Sequence, residues 1–176
     1  IGGQPFSLSN LRQLKAVLVK HGIPIMLDAS LISENAFMIW KRDKSAAGMS
    51  VAEILKEMMD LCDIVYLSAR KSCAGRGGMI ITNRRDFYDG IAPMIPVYEG
   101  FLTYGGMSSR EIEGIAVGIN EMADPEVAGS SVEMISFGVD KLKKNGIPVI
   151  TPGGGLGIHL DAKQFLPHIS WEQYPT

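Results

Sequence analysis

The sequence predicts an α/β fold in which helices cover both faces of a central sheet. Residues 23–29 and 63–67 are short and almost continuously apolar, as strands that are buried on both faces are. Apolar residues recur at helical spacing in the segments around these two runs. Strands that alternate with amphipathic helices are typical of an α/β sandwich, and no internal repeat or low-complexity tract is present.

Three helices and one strand are predicted in the first third of the chain. Ser7 can cap a helix whose leucines at positions 8, 11, 14 and 18 form one apolar face, and this helix ends before a strand over residues 23–29. A second helix is predicted near residues 33–41. Ser50 and Glu53 have the spacing of a capping box, which predicts that a third helix begins there.

The remaining elements are predicted from turn residues and apolar runs. A strand leads to Leu67, and a break at Asp124-Pro125 separates two later helices. The predicted ranges are a strand at 78–82, helices at 109–122 and 127–144, and strands at 147–151 and 157–162. Residues 124–176 are therefore predicted to be a linking helix and the beginning of a second, smaller domain, and residues 1–123 part of a larger one.

Composition excludes several classes of function. The chain has 176 residues, 46% of them hydrophobic, and its 17 basic and 19 acidic residues are dispersed, so we expect no nucleic-acid partner. Cys62 and Cys73 have no spacing that suits a metal site or a disulfide scaffold. No apolar run is long enough to span a membrane and no leader is visible, so a cytoplasmic protein is expected. The chain begins at Ile1 without methionine, and we expect a fragment of a longer protein.

Two polar residues follow the apolar runs and are the first candidates for a functional site. Asp28 ends the run at 23–29, and Lys71 comes soon after the run at 63–67, beside Arg70 and Ser72. A lysine held at a strand end can become a nucleophilic amine. An acid and an amine at two strand ends suggest a site for pyridoxal phosphate, which needs both. Taken singly, Lys71 is most simply a surface charge and Asp28 a turn residue.

The glycine clusters at 75, 77 and 78 and at 153–155 suggest a nucleotide-binding loop, but their context argues against it. Such a loop normally leads from a strand into a helix N-terminus, where free N–H groups meet the phosphate. Both clusters instead precede predicted strands, and no Gly-Lys-Ser/Thr follows them. Tight turns between strands are the favoured interpretation.

Several motifs in colinear order resemble a known family. They are Gly2-Gly3-Gln4-Pro5, Leu27-Asp28-Ala29-Ser30 with Glu34-Asn35-Ala36, Leu67-Ser68-Ala69-Arg70-Lys71-Ser72-Cys73, Gly77-Gly78, Tyr98-Glu99-Gly100 with Tyr104-Gly105-Gly106, Leu160-Asp161-Ala162 and Phe165-Leu166-Pro167-His168. This series is similar to tryptophanase and tyrosine phenol-lyase, the β-eliminating lyases. The resemblance extends over essentially the whole chain.

The resemblance implies an aspartate-aminotransferase-like fold of type I, with a mainly parallel sheet in a large pyridoxal phosphate-binding domain. Lys71 would bind the cofactor aldehyde and act as the catalytic base at Cα, and Asp28 would bind the pyridine nitrogen. Ser68 would donate to the phosphate, with Arg70 beside it. Tyr104 would approach the site of a neighbouring subunit, in a homodimer or homotetramer.

Three positions depart from the family pattern. Leu31 stands where the family carries an arginine near the phenolic oxygen of the cofactor, and Leu156 stands where a histidine is usual. Arg76 lies in the segment that resembles the family's loop with a carbonyl near an activating monovalent cation. Its charge would repel such a cation unless the side chain points away, which argues against potassium dependence, and no metal is predicted.

The resemblance implies β-elimination from an L-amino acid, giving pyruvate, ammonia and a leaving group. Tryptophan, tyrosine, cysteine and cysteine S-conjugates all remain open as substrates. A thiolate leaves more easily than an aromatic carbon, so carbon–sulfur cleavage would tolerate the departures at Leu31 and Leu156, and the leaving group stays unresolved. Two alternatives remain: another pyridoxal phosphate reaction on the same fold, such as transamination, decarboxylation or aldol cleavage, and a degenerate domain without activity.

Overall fold

The computed structural model describes residues 3–73 and 75–173 and contains nine α-helices and three β-strands within those residues. The strands are β1 (Met26–Asp28), β2 (Ile64–Ser68) and β3 (Gly78–Ile81). The helices are α1 (Leu8–Lys20), α2 (Ile32–Arg42), α3 (Val51–Asp60), α4 (Ala69–Ser72), α5 (Arg85–Ile91), α6 (Ile95–Tyr98), α7 (Ser109–Glu121), α8 (Pro125–Lys144) and α9 (Ala162–Phe165). Helices α5 and α6 have no counterpart among the predictions.

The three strands form one sheet in the order β1-β2-β3. The β1–β2 pair is parallel, with Asp28 opposite Tyr66, and the β2–β3 pair is antiparallel, with Tyr66 opposite Ile80. Side chains alternate between the two faces of a strand. Asp28, Tyr66 and Ile80 therefore form one row across the sheet, on the more exposed face.

The opposite face of the sheet carries the hydrophobic core. Leu27, Val65 and Leu67 are buried there together with the apolar faces of the first three helices. Leu8, Ile39, Ile54 and Met58 are the largest helical side chains that are fully buried. The capping box predicted for α3 is present, since the Ser50 hydroxyl accepts from the Glu53 backbone and the Glu53 carboxylate accepts from the Ser50 backbone.

Helix α7 packs closely against the segment that follows α4. A Cβ atom at Gly118 would overlap the carbonyl oxygen of Cys73, so only glycine allows this approach. Gly114, one turn earlier on α7, has no atom within 4 Å of such a Cβ position. Gly118 therefore sets the position of the chain just beyond Lys71.

We expect Gly118→Ala to lower the free energy of unfolding by about 2–3 kcal/mol, because overpacking against a backbone carbonyl forces the helix or α4 to move. Gly114→Ala is the matched control on the same helix and should stabilise the protein by about 0.5–1 kcal/mol through helix propensity. Denaturant titration of both variants measures the difference. Equal effects of the two substitutions would contradict the close approach.

Helix α8 packs on α2, and a partly buried carboxyl group lies in this contact. Burial raises the pKa of Glu34 above its usual value of 4.5, while its own backbone N–H and the Ser131 hydroxyl act in the opposite direction. Its Oε2 atom is buried and has no hydrogen-bond partner among the described residues. Gly155 also packs closely against Glu34, because a Cβ atom added at Gly155 would lie 2.7 Å from Cβ of Glu34.

The raised pKa of Glu34 predicts a pH dependence of stability. The folded state binds the proton more tightly than the unfolded state, so the stabilisation is complete below the unfolded value and declines as pH rises through the folded value. Glu34→Gln cannot ionise and should melt at a higher temperature than the wild type at pH 8 but at nearly the same temperature at pH 4. Glu133→Gln, at an exposed position of α8, is the control and should show no such pH-dependent difference.

Two predicted strands are absent from the C-terminal region. The predictions at residues 147–151 and 157–162 were wrong, because the structure has only a single antiparallel bridge there, between Val149 and Leu160. Pro148 and Pro152 lack the backbone N–H group that a longer ladder of hydrogen bonds would require. Several glycines also lie between Pro152 and Leu160. The helix predicted at 127–144 begins earlier, at Pro125, because Asp124 caps it.

None of the described helices combines the length and the hydropathy that crossing a bilayer requires. Within residues 3–73 and 75–173, no three histidine, cysteine, aspartate or glutamate side chains are grouped as a metal site would need.

Candidate functional site

Asp28 and Lys71 come together at one edge of the sheet. Asp28 is the last residue of β1, and Lys71 lies on the short helix α4 that continues directly from β2. Because β1 and β2 are parallel, their carboxyl ends meet at the same edge. Both residues are exposed, and the positive charge of Lys71 contributes to lowering the pKa of Asp28. The segment that contains Lys71 is helical for one turn.

The Asp28 carboxylate is surrounded by donors. Its Oδ1 accepts a hydrogen bond from the backbone N–H of Ser30 at 3.0 Å. The Ser30 hydroxyl is the largest cause of the lowered pKa of Asp28, and a hydrogen bond from the Tyr66 side chain also contributes. Partial burial acts in the opposite direction and is outweighed. Asp28 is therefore held as a carboxylate at neutral pH.

Ser68 lies at the end of β2, two residues after Tyr66, and Arg70 lies at the start of α4. The backbone N–H of Ser68 donates to the Ser30 hydroxyl oxygen at 3.3 Å, which joins the ends of β2 and β1. Ser68 is half-buried and Arg70 is exposed. A hydroxyl and a guanidinium next to each other can both donate to an anion.

A cavity of about 800 Å³ adjoins these residues, between β3 and the segments that lead to α7. Its lining includes Tyr66, Ser68, Arg70, Gly78, Tyr88 and Tyr104. Asp28 and Lys71 are not part of the lining. Asp28 therefore lies on the β1 side of Tyr66, while the cavity lies on the β3 side.

Tyr104 follows a mostly exposed turn. Its ring is 40% exposed and packs edge-on against Phe101, with 5.8 Å between the ring centroids. In this single chain it shares the cavity lining with Ser68 and Arg70. The cross-subunit role expected for Tyr104 stays a prediction.

The three departures from the family pattern lie in different places. Leu31 is half-buried directly before α2, and Leu156 is 56% exposed in the turn after Gly155. Arg76 is exposed; hydrogen bonds from Ser108 are the main causes of the lowered pKa of Glu111 in the first turn of α7, and the positive charge of Arg76 adds to them. Arg76 thus lies near an acidic side chain of its own chain.

Sequence reasoning missed two members of the site, Ser30 and Tyr66. Ser30 has the spacing of an aspartate turn, in which the carboxylate accepts from the backbone two residues later, and this signal was available. Tyr66 lies two residues before Ser68, so the period of a strand places both on one face. Its position next to Asp28 depends on strand register, which the sequence did not reveal.

The arrangement combines a carboxylate, an amine and anion donors at the ends of two parallel strands. The carboxylate can hold a positive charge on a ring nitrogen, and the amine can attack an aldehyde or move a proton. Ser68 and Arg70 can bind a phosphate. Such a set suits a cofactor that is both an aldehyde and a phosphate ester.

Comparisons with known proteins agree with this chemistry. The model of the beta-eliminating lyase family matches residues 1–159. Tyrosine phenol-lyase of Pasteurella multocida (strain Pm70) is 39% identical over 176 residues, which are 99% of this chain and 38% of that protein. Tyrosine phenol-lyase of Symbiobacterium sp. (strain SC-1) is 38% identical with the same coverage. The chain thus spans 38% of the length of these curated relatives.

A solved structure shares the fold at lower sequence identity. A crystal structure assigned as an L-allo-threonine aldolase from Listeria monocytogenes EGD-E has a TM-score of 0.64 and 19% identity. The match covers 89% of this chain and 39% of that one. The α/β fold class predicted from the sequence is confirmed by this likeness and by the observed sheet and helices.

Proposed function

The chain belongs to the beta-eliminating lyase family, and from this premise we propose that it carries the cofactor-binding lysine and aspartate of a pyridoxal phosphate-dependent lyase. The family suggested by the sequence motifs is confirmed. The reaction we propose is β-elimination, in which an L-amino acid and water give pyruvate, ammonia and the protonated leaving group. The observation that carries the proposal is the placement of Asp28, whose pKa is lowered chiefly by the Ser30 hydroxyl, and of Lys71 at the ends of neighbouring parallel strands.

The residues present fit pyridoxal phosphate. Asp28 accepts hydrogen bonds that lower its pKa and keep it ionised. A partner for a protonated ring nitrogen must carry this negative charge. Lys71 offers an amine to the aldehyde, and Ser68 and Arg70 offer donors to the phosphate. When bound, the cofactor supplies an electron sink for the negative charge that develops at Cα of the substrate.

Each of the four site residues then has a role of its own. Lys71 Nζ takes the proton from Cα, since its exposure on α4 leaves it free to approach a bound amino acid. Asp28 stabilises positive charge at the ring nitrogen through a fixed carboxylate. Ser68 and Arg70 anchor the phosphate and so fix the orientation of the ring relative to Lys71.

The leaving group is the finer part of the proposal. The relatives named tyrosine phenol-lyase indicate cleavage of a carbon–carbon bond. Leu31 and Leu156 cannot donate a proton or a hydrogen bond, so this chain lacks two polar groups that could assist an aromatic carbon leaving group. A thiol has a pKa near 8.5 and leaves as a stable anion, which favours cysteine or a cysteine S-conjugate.

The assembly is proposed to be a homodimer or homotetramer. A surface segment near Tyr104 supports this, because Val97, Tyr98 and Phe101 are 71%, 72% and 69% exposed, and large exposed apolar groups that lie close together are typical of protein interfaces. We also propose that residues 1–123 belong to the large cofactor-binding domain, and that residues 124–176 form the linking helix and the beginning of a smaller domain.

Product analysis of the intact protein tests the function. After addition of pyridoxal phosphate, the protein is incubated with tyrosine, tryptophan, cysteine and S-methylcysteine, and pyruvate and ammonia are quantified. Equal amounts of both products from at least one substrate are expected. A keto acid without ammonia would indicate transamination, carbon dioxide with an amine would indicate decarboxylation, and the absence of any product would favour a degenerate domain; each of these outcomes would overturn the proposal.

A further inference from the structure

Tyr66 occupies a central position on the exposed face of the sheet. It lies directly opposite Asp28 on one side and Ile80 on the other, so it stands between the acid and the cavity. Neighbouring side chains on adjacent strands have Cβ atoms about 4.5–5.5 Å apart, close enough for direct interaction. Tyr66 is 38% exposed, so the surrounding chain buries part of this residue.

Two interactions connect Tyr66 with the Asp28 segment. The backbone carbonyl of Tyr66 accepts from the N–H of Ala29 at 2.7 Å. The Tyr66 and Asp28 side chains are direct neighbours across the strands on one face of the sheet, and a side-chain hydrogen bond between them is one cause of the pKa shifts of both groups. The first interaction holds the backbone at the end of β1, and the second acts on the carboxylate itself.

We infer that Tyr66 is a positioning residue for Asp28, with its phenolic hydroxyl donating to the Asp28 carboxylate and holding that carboxylate in one orientation and in its ionised form. The inference rests on the proposed function, in which Asp28 is the partner of the cofactor ring nitrogen. Neither the sequence motifs nor the family match assigns a role to position 66.

The electrostatics favour Tyr66 as a donor and not as a base. Partial burial, the charge of Asp28 and the hydrogen bond to it all raise the pKa of Tyr66 above its usual value of 10.0. The phenol therefore keeps its proton at neutral pH and offers it to Asp28. The same hydrogen bond acts with the Ser30 hydroxyl and the Lys71 charge to lower the pKa of Asp28.

Ser30 and Tyr66 support the carboxylate from different sides. Ser30 belongs to the turn after β1 and is joined to Ser68, whereas Tyr66 belongs to β2 and borders the cavity. Loss of the Tyr66 hydroxyl would leave the Ser30 contacts in place. The effect of its removal should therefore be a partial one, confined to the ionisation and orientation of Asp28.

Tyr66→Phe tests this role, because it removes the hydroxyl and preserves both the ring and the backbone hydrogen bond to Ala29. Tyr88→Phe is the matched control, since Tyr88 also lines the cavity but lies on α5, away from the sheet row that contains Asp28. The first measurement uses the intact protein without cofactor. The carboxyl carbon of Asp28 is followed by NMR against pH in protein with labelled aspartate, and Asp28→Asn assigns the signal.

The Asp28 titration midpoint is expected to rise in Tyr66→Phe and to stay unchanged in Tyr88→Phe. The second measurement adds pyridoxal phosphate and follows the visible absorbance band against pH. Its acid-side transition should move to higher pH in Tyr66→Phe only, and kcat should fall by about two- to tenfold, as expected for one hydrogen bond.

The two measurements separate failure of this inference from failure of the proposed function. An unchanged Asp28 midpoint in Tyr66→Phe overturns the positioning role, whatever the cofactor does. A fall in kcat with an unchanged midpoint also overturns it and indicates that Tyr66 acts directly on the substrate. The wild type could form no cofactor band while the Asp28 midpoint still rises in Tyr66→Phe. That result would confirm the contact between Tyr66 and Asp28, but it would overturn the proposed function and with it any role of Tyr66 in catalysis.

Discussion

Lys71→Ala is expected to abolish covalent binding of pyridoxal phosphate and to lower kcat of the intact protein by at least about a thousandfold. The proposed reaction uses this amine twice, first to bind the cofactor and then to remove the Cα proton. Lys71 is also the lysine whose charge acts on Asp28. The measurement is the visible band of the bound cofactor, followed by borohydride reduction and mass analysis of the peptide that contains residue 71.

The loss in Lys71→Ala should not come from unfolding. Lys71 is exposed, and surface substitutions usually change stability by less than about 0.5 kcal/mol. Lys56→Ala is the control, because Lys56 is an exposed lysine whose partner is Asp60, one turn further along α3. Lys56→Ala should retain the band and the activity. Cofactor mass on a lysine other than Lys71 in the wild type would refute the assignment.

Asp28→Asn is expected to lower kcat by about a hundred- to a thousandfold, the range observed when one electrostatic group is removed from an active site. The amide has nearly the same shape as the carboxylate but carries no charge, so it cannot stabilise a protonated ring nitrogen. Cofactor binding through Lys71 should persist. Kinetics and the absorbance band of the same sample therefore separate the two functions.

The lowered pKa of Asp28 also predicts how the effect of Asp28→Asn depends on pH. A carboxyl group whose folded pKa is depressed stays ionised over the whole neutral range and loses its charge only as pH falls through that depressed value. The loss in Asp28→Asn should therefore persist across neutral pH. Asp89→Asn, which breaks an exposed ion pair with Arg85, is the control. Full activity in Asp28→Asn would contradict the proposed pairing with the ring.

Local signals in the sequence were sufficient for most elements that lie near the site. The Ser50–Glu53 capping box and the Asp124-Pro125 break mark helix starts that the structure contains, because capping depends on residues within one turn. The apolar runs became β1 and β2, although β1 begins only at Met26. Their polar ends placed Asp28 and Lys71 together, since the carboxyl ends of parallel strands share an edge.

Signals that depend on distant partners were less informative. Residues 147–151 and 157–162 have apolar runs like those of strands, but the structure pairs them through one bridge, between Val149 and Leu160. A strand needs a partner with free N–H and C=O groups along its length, and a local pattern does not specify one. Helices α5 and α6 were not predicted because they are short. Most of their residues are exposed, so their sequences lack a clear helical pattern of apolar residues.

The sequence by itself determined the family and the α/β class and identified Asp28 and Lys71 as candidates, because motifs, apolar periodicity and strand ends are properties of contiguous residues. Only the tertiary structure decided which side chains surround the acid. Tyr66 is 38 positions from Asp28 along the chain, and it becomes a neighbour through the register of β1 on β2. Register depends on packing of the whole sheet, since a slip by one residue would turn Tyr66 to the opposite face.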